Sequence, residues 1–161
     1  MAGRPGELLI ADALAEMMSS RRDAPARASV PILRQVPLFA ELPDRHLRRV
    51  ARLAVISRFR AGTAIVRKGS RGSAFYVILE GTVRVVRRGR PSTILGAGES
   101  FGEMALLDHG PRSATVTAET AMTALRIFSA PFDKLLRTEP RIALALLHTL
   151  STRVRELEDS L

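Results

Sequence analysis

The chain has 161 residues, 46% of them apolar, and 25 Lys+Arg against 16 Asp+Glu, a formal net charge of +9. That is enough apolar mass for one folded domain with a short appendage, and it excludes general disorder. The charge favours anionic partners, whereas the lack of cysteine excludes disulfides and thiolate metal sites, and the lack of Trp with 4% aromatics argues against a base-stacking platform.

Residues 7–18 read as a short amphipathic helix, with Leu8, Ala11, Leu14, Met17 and Met18 against Glu7, Asp12 and Glu16. Those acids interrupt what would be the apolar centre of a signal peptide. No charge-free apolar run of ~18 residues occurs anywhere, so no membrane span is expected and the cytoplasm is the expected compartment. Ser19–Pro31 reads as a polar, Pro-containing linker with Arg21, Arg22 and Arg27. Residues 1–31 are thus expected to be an appendage and linker, and 32–161 the domain. Leu33–Phe39 reads as a further helical turn leading to Pro43, after which Asp44 is placed to cap a helix.

That helix carries Arg45, Arg48, Arg49 and Arg52 at the i, i+3, i+4, i+7 spacing that aligns side chains, with Leu47, Val50, Ala51 and Ala54 on the inward side. It opens the basic part of the chain. Residues 45–90 hold 13 Arg and Lys against Glu80 alone, so this stretch carries +12 and the remainder −3. The Arg face reads either as a basic ridge for phosphates or an acidic partner, or as a solvated surface.

From Ala54 to Phe128 short β-like runs alternate with glycines. The expected strands are Val55–Phe59, Ala64–Arg67, Phe75–Leu79, Thr82–Arg87, Ser92–Leu95, Ala114–Ala118 and Met122–Phe128, with Arg88-Gly89-Arg90-Pro91 as a hairpin tip. Strands this short and this evenly spaced predict a mainly β fold with flanking helices. The expected architecture is a β-roll of jelly-roll type or a barrel, and not a parallel βαβ sheet, followed by a short helix and a long C-terminal one. Ala130–Arg137 is the short helix, and Pro140 opens the long one at the position where proline costs least. In the long helix Ala143, Leu147, Leu150, Val154, Leu157 and Leu161 make a heptad seam. Leu144 and Leu146 broaden its apolar face in the first half only. The helix is therefore expected to pack on its own domain early and to pair with a second copy later, giving a homodimer.

The chemistry is concentrated in Phe101-Gly102-Glu103-Met104-Ala105-Leu106-Leu107 and, after Asp108-His109-Gly110-Pro111, in Arg112-Ser113-Ala114-Thr115-Val116. Gly102 lets a ligand approach the backbone, and the N–H groups that follow it open a short helix and attract anions. Arg112 offers a planar fork of donors for a phosphate, Ser113 a hydroxyl, and Glu103 an acceptor for a sugar hydroxyl. An ion pair between Arg112 and Glu103 is the purely structural alternative. Together these residues describe a receptor for a small phosphorylated sugar.

This segment resembles the phosphate-binding cassette of the cyclic-nucleotide-binding domain family, which includes the bacterial cyclic AMP receptor proteins. The likeness runs from Phe101-Gly102-Glu103 to Arg112-Ser113-Ala114. It extends upstream to Gly62, Gly69, Phe75-Tyr76-Val77-Ile78-Leu79 and Gly81-Thr82-Val83, covering roughly residues 36–161. The resemblance implies that Arg112, Ser113 and backbone N–H groups of Gly102–Ala105, Met104 included, bind the cyclic phosphate. It implies that Glu103 takes the ribose 2′-hydroxyl and that Ala114 permits close packing under the ligand. Ile65, Val77, Leu79, Leu106 and Val116 are the apolar walls expected on that basis. In the bacterial receptors hydroxyl residues of the long helix cap the adenine, and the matching positions here are Leu157 and Glu158. That departure makes Arg153, one turn earlier, the candidate to stack on the base, with Arg155 behind it.

The resulting expectation is a non-enzymatic regulatory module for cyclic AMP, with cyclic GMP as the second ligand, acting through its C-terminal helix on a protein partner whose identity the sequence leaves open. No metal or cofactor is expected, because His46, His109 and His148 form no ligand cluster. Helix-turn-helix DNA binding is not expected either, because the residues that would form that module in the family's transcription factors would follow Leu161. The alternative is an interaction protein with an altered or empty pocket, whose basic surface binds nucleic acid or an acidic partner.

Overall fold

In a computed structural model of the chain, the described residues are 24–161, apart from Gly72 and Met104. The amphipathic segment expected at 7–18 therefore lies outside them. The glycine-punctuated runs form strands β1 (Val55–Phe59), β2 (Ala64–Val66), β3 (Ala74–Glu80), β4 (Val83–Val86), β5 (Thr93–Leu95), β6 (Ser100–Phe101), β7 (Thr115–Ala118) and β8 (Met122–Phe128). They pair antiparallel in two four-stranded sheets, ordered β1-β8-β3-β6 and β2-β7-β4-β5. This is the β-roll expected from the sequence, with the two-residue strand β6 added. The tip at Arg88–Arg90 joins β4 to β5 as a hairpin, closed by the Arg90 N–H on the Arg87 carbonyl at 3.3 Å.

Strand β3 is buried on both faces, which its continuous apolar run requires. Its side chains alternate between two cores. Tyr76 and Ile78 point between the sheets, toward Val66, Val85, Phe101, Ala114 and Val116. Phe75, Val77 and Leu79 point the other way, onto a layer of helices. Those helices are α1 (Ala24–Arg34), α2 (Asp44–Ala51), α3 (Ala105–Asp108), α4 (Ser129–Thr138) and α5 (Pro140–Asp159). Phe39 ties the layers together, edge-on to Phe75 at 6.0 Å and to Phe132 at 6.1 Å between ring centroids.

The stretch read as linker behaves differently from 24 onward. Ala24–Arg34 is helical despite Pro31, and Ala28, Ser29, Ile32 and Leu33 are buried in the helix-side core. Proline in a helix interior removes a hydrogen bond and usually marks a break. Here burial of the apolar face on both sides of Pro31 outweighs that local cost. Asp44 also departs from expectation. Helix α2 begins on Asp44 itself, with Pro43 as the flanking residue and no side-chain cap, and the Asp44 carboxylate accepts a hydrogen bond from the Arg34 guanidinium.

The arginine face of α2 is present as a ridge, with Leu47, Val50 and Ala51 buried beneath it. Arg45, Arg48, Arg49 and Arg52 surround one shallow hollow. Part of the ridge is engaged within the chain, since Arg49 pairs with Glu139 at 3.1 Å and Arg48 donates to the Asp44 carbonyl at 3.3 Å.

Helix α5 starts with Pro140 in its first turn and docks through Ile142, Leu146 and Thr149. This docking face is offset from the heptad seam. Leu147, Val154, Leu157 and Leu161 of the seam are exposed, and Leu144 beside it is exposed too. Among the described residues no helix is long and apolar enough to cross a membrane.

Candidate functional site

The site is built where the two sheets meet at the end of β3. Register places Phe101 opposite Tyr76, and their rings stack with centroids 4.9 Å apart and planes 15° from parallel. The next residue, Gly102, has φ +81°, a left-handed conformation that bends the chain out of β6 toward α3. A Cβ at Gly102 would collide with the Arg112 guanidinium and stand 3.0 Å from the Ala74 carbonyl oxygen. Glycine at this position therefore lets the arginine lie against the backbone.

Arg112 is held at both ends. Its backbone N–H donates to the Ser70 carbonyl at 2.7 Å, its own carbonyl accepts from Gly69 N–H at 2.9 Å, and Arg71 bridges Pro111 alongside. Its guanidinium Nη2 donates to the Ala74 carbonyl. Burial pushes the Arg112 pKa down from the ordinary guanidinium value, and Tyr76 and Asp108 oppose that shift. A half-buried guanidinium with unused donors, aimed at a hollow, is built to receive an anion.

The hollow has an apolar wall of Val66, Val85, Leu95, Phe101, Ala114 and Val116, and a polar side of Gly102, Arg112 and Ser113. Its empty space is about 490 Å³, a figure that includes the open solvent mouth. A second hollow continues outward over the cassette, lined by Glu103, Ala105, Asp108 and Gly110 and sharing Arg112 and Ser113 with the first.

Of the residues singled out from sequence, the fold brings Gly102, Glu103, Ala105, Arg112, Ser113 and Ala114 to these two hollows. Met104 lies outside the described residues. The Ala105 N–H turns back onto the Gly102 carbonyl at 3.2 Å, so it closes a turn instead of pointing outward as expected. Glu103 is 17% exposed, and its carboxylate accepts a 2.9 Å hydrogen bond from Arg153 of α5. Glu103 is therefore tied to the long helix, and Arg112 to Ala74. Neither makes the Arg112–Glu103 pair considered as an alternative.

The apolar wall differs from expectation. Val116 lines the hollow, but Val77, Leu79 and Leu106 belong to the helix-side core, because strand alternation turns Val77 and Leu79 away from the space between the sheets. Ile65 packs at the margin of the inter-sheet core, and its neighbour Val66 takes the wall position. Leu157 is 67% exposed on α5, beyond Arg153. Sequence reasoning missed Val66, Val85, Leu95, Phe101 and Arg87 as lining residues. The period-two pattern Val83, Val85, Arg87 carried the signal for two of them.

The cassette loop has one further tie. His109, with φ +54°, places Nε2 at 2.9 Å from an Asp133 oxygen of α4, while Asp108 accepts the Gly110 N–H at 2.9 Å. Among the described residues no cluster of His, Cys, Asp or Glu is arranged to hold a metal ion.

Comparison with known proteins places this geometry. Residues 56–139 match the family model of the cyclic nucleotide-binding domain. A cyclic nucleotide-gated potassium channel of Rhizobium etli is 41% identical over 108 residues, which is 67% of this chain and 30% of the channel. The chain thus spans less than a third of that relative's length. The N-terminal domain of a transcriptional regulator from Streptomyces coelicolor superposes with a TM-score of 0.71 at 30% identity, covering 81% of this chain and 94% of that one. The regulatory domain of Toxoplasma gondii PKA, solved with cAMP, gives a TM-score of 0.62 at 25% identity over 82% of this chain and 50% of that one. The family model covers β1 through α4 and so takes in both sheets and the whole cassette; the chain belongs to the cyclic nucleotide-binding domain family.

Proposed function

We propose that the chain is a regulatory module that binds cyclic AMP and transmits its occupancy through α5 to a protein partner. The observation that carries this reading is the meeting of three groups at one hollow. These are the half-buried Arg112 guanidinium, the side-chain-free surface of Gly102, and a Glu103 carboxylate already bonded to α5 through Arg153. Arg112 and Ser113 take the cyclic phosphate, and Glu103 accepts the ribose 2′-hydroxyl. A nucleotide that engages Glu103 competes with Arg153 for the same carboxylate. The freed guanidinium then stacks on the base, and α5 moves with it. Ligand shifts the helix only by as much as it binds one helix position better than the other. The cAMP-bound Toxoplasma neighbour supports the choice of cyclic AMP as first ligand.

The exposed residues Leu147, Val154 and Leu157 on α5, with Leu161 just past its end, support a homodimer through that helix. The domain is read as residues 32–161, with α1 packed against it through Ala28, Ile32 and Leu33.

Isothermal titration with cyclic AMP and cyclic GMP tests the ligand. Binding is expected with cyclic AMP, and Arg112→Ala is expected to lose on the order of 2–5 kcal/mol, because a desolvated phosphate is left unpaired. No heat with either nucleotide on folded protein rejects the reading.

A further inference from the structure

Arg87 is not part of the cassette motif, yet it lines both hollows that share Arg112 and Ser113. Strand alternation puts it there. Val83 and Val85 of β4 are buried toward the inter-sheet core, and Arg87, two residues further on, continues the same face just past the strand end. Arg84, on the opposite face, is taken up by Glu119 and Ser92.

The charges around the outer hollow show what Arg87 adds. Its lining holds Arg87, Glu103, Asp108 and Arg112. Until a nucleotide engages it, Glu103 is compensated by Arg153. Without Arg87, the one remaining cation, Arg112, faces the Asp108 carboxylate, and the hollow has no surplus positive charge for an incoming phosphate. With it, the balance is positive. We infer that Arg87 is a second cationic contact for the ligand's phosphate, supplied by the β4–β5 hairpin, and that it sets the affinity and the salt dependence of binding. The inference rests on the cyclic-nucleotide reading of the site and adds a residue to it.

The test measures the cyclic AMP dissociation constant of the full chain over a salt series for wild type, Arg87→Gln, Arg87→Lys and Arg88→Gln. Arg88 is exposed, adjacent, and lines neither hollow, so its variant carries the same charge change without the contact. Arg87→Gln is expected to weaken binding about three- to fivefold at low salt, the scale of an exposed ion pair. The loss is expected to shrink below about twofold near 1 M salt, where the screening length is ~3 Å. Arg87→Lys is expected to restore most of the affinity, and Arg88→Gln to stay within about 1.5-fold of wild type, because an exposed charge that makes no contact at the hollow contributes little. Wild type binding with Arg87→Gln no weaker than Arg88→Gln overturns the inference alone, and so does Arg87→Lys as weak as Arg87→Gln. Failure of wild type to bind either nucleotide removes the underlying reading, and the inference with it.

Discussion

Replacing Gly102 by alanine tests whether the cassette is organised around the approach of Arg112 to the backbone. Two costs are separable. The first is backbone strain, because Gly102 sits at φ +81° and an L side chain there costs about 1–2 kcal/mol. The second is steric. The new Cβ would occupy the space of the Arg112 guanidinium, and the arginine must leave the Ala74 carbonyl. Loss of that partly buried hydrogen bond costs about 1–3 kcal/mol. Gly62 provides the control. It has φ +85° and nothing within 4 Å of a built Cβ, so Gly62→Ala incurs strain alone. Urea denaturation is expected to give a loss of about 1–2 kcal/mol for Gly62→Ala and about 2–5 kcal/mol for Gly102→Ala. Cyclic AMP titration is expected to show wild-type affinity for Gly62→Ala and a loss of at least about tenfold for Gly102→Ala, since the displaced guanidinium no longer faces the phosphate. Equal destabilisation by the two substitutions, with unchanged binding by both, would refute the reasoning.

A double-mutant cycle on Glu103→Gln and Arg153→Gln is expected to give a coupling of about 0.5–1 kcal/mol in ligand-free protein by denaturation, as befits a pair only partly withdrawn from water. Saturating cyclic AMP is expected to reduce that coupling, and a coupling that is zero without ligand contradicts the proposed link from cassette to α5. Val154→Asp with Leu157→Asp is expected to convert a dimer to a monomer in sedimentation velocity, because both side chains are exposed on the seam and a carboxylate there cannot be buried unpaired. A wild-type chain that stays monomeric at high concentration argues against the seam as an interface.

Much of the fold was legible because local pattern and tertiary placement agree. The runs Val55–Phe59 and Met122–Phe128 are strands with the bounds expected, and Pro140 begins α5. The cassette was legible for a related reason. Gly102, Glu103, Arg112 and Ser113 each carry chemistry that few other residue types provide, so their spacing is informative without coordinates.

Three features were not legible. Pro31 suggested a break, but long-range burial around it maintains α1. The apolar residues of β3 look alike in sequence, and only the pairing of two sheets beneath one helical layer separates Tyr76 and Ile78, which face the other sheet, from Val77 and Leu79, which face the helices. The docking face of α5, through Ile142, Leu146 and Thr149, is set by the surface it meets and not by the heptad that its own residues spell.

By itself, then, the sequence determined the β-roll, the two terminal helices and the identity of the candidate anion-binding groups, because periodicity and side-chain chemistry are local properties. Tertiary structure decided which groups share the pocket. It joined Arg153 to Glu103 across 50 residues, seated Arg112 against Gly102 and Ala74, and brought Arg87 to the mouth. Those contacts depend on how two sheets and a helical layer pack in space, and no spacing along the chain encodes that packing.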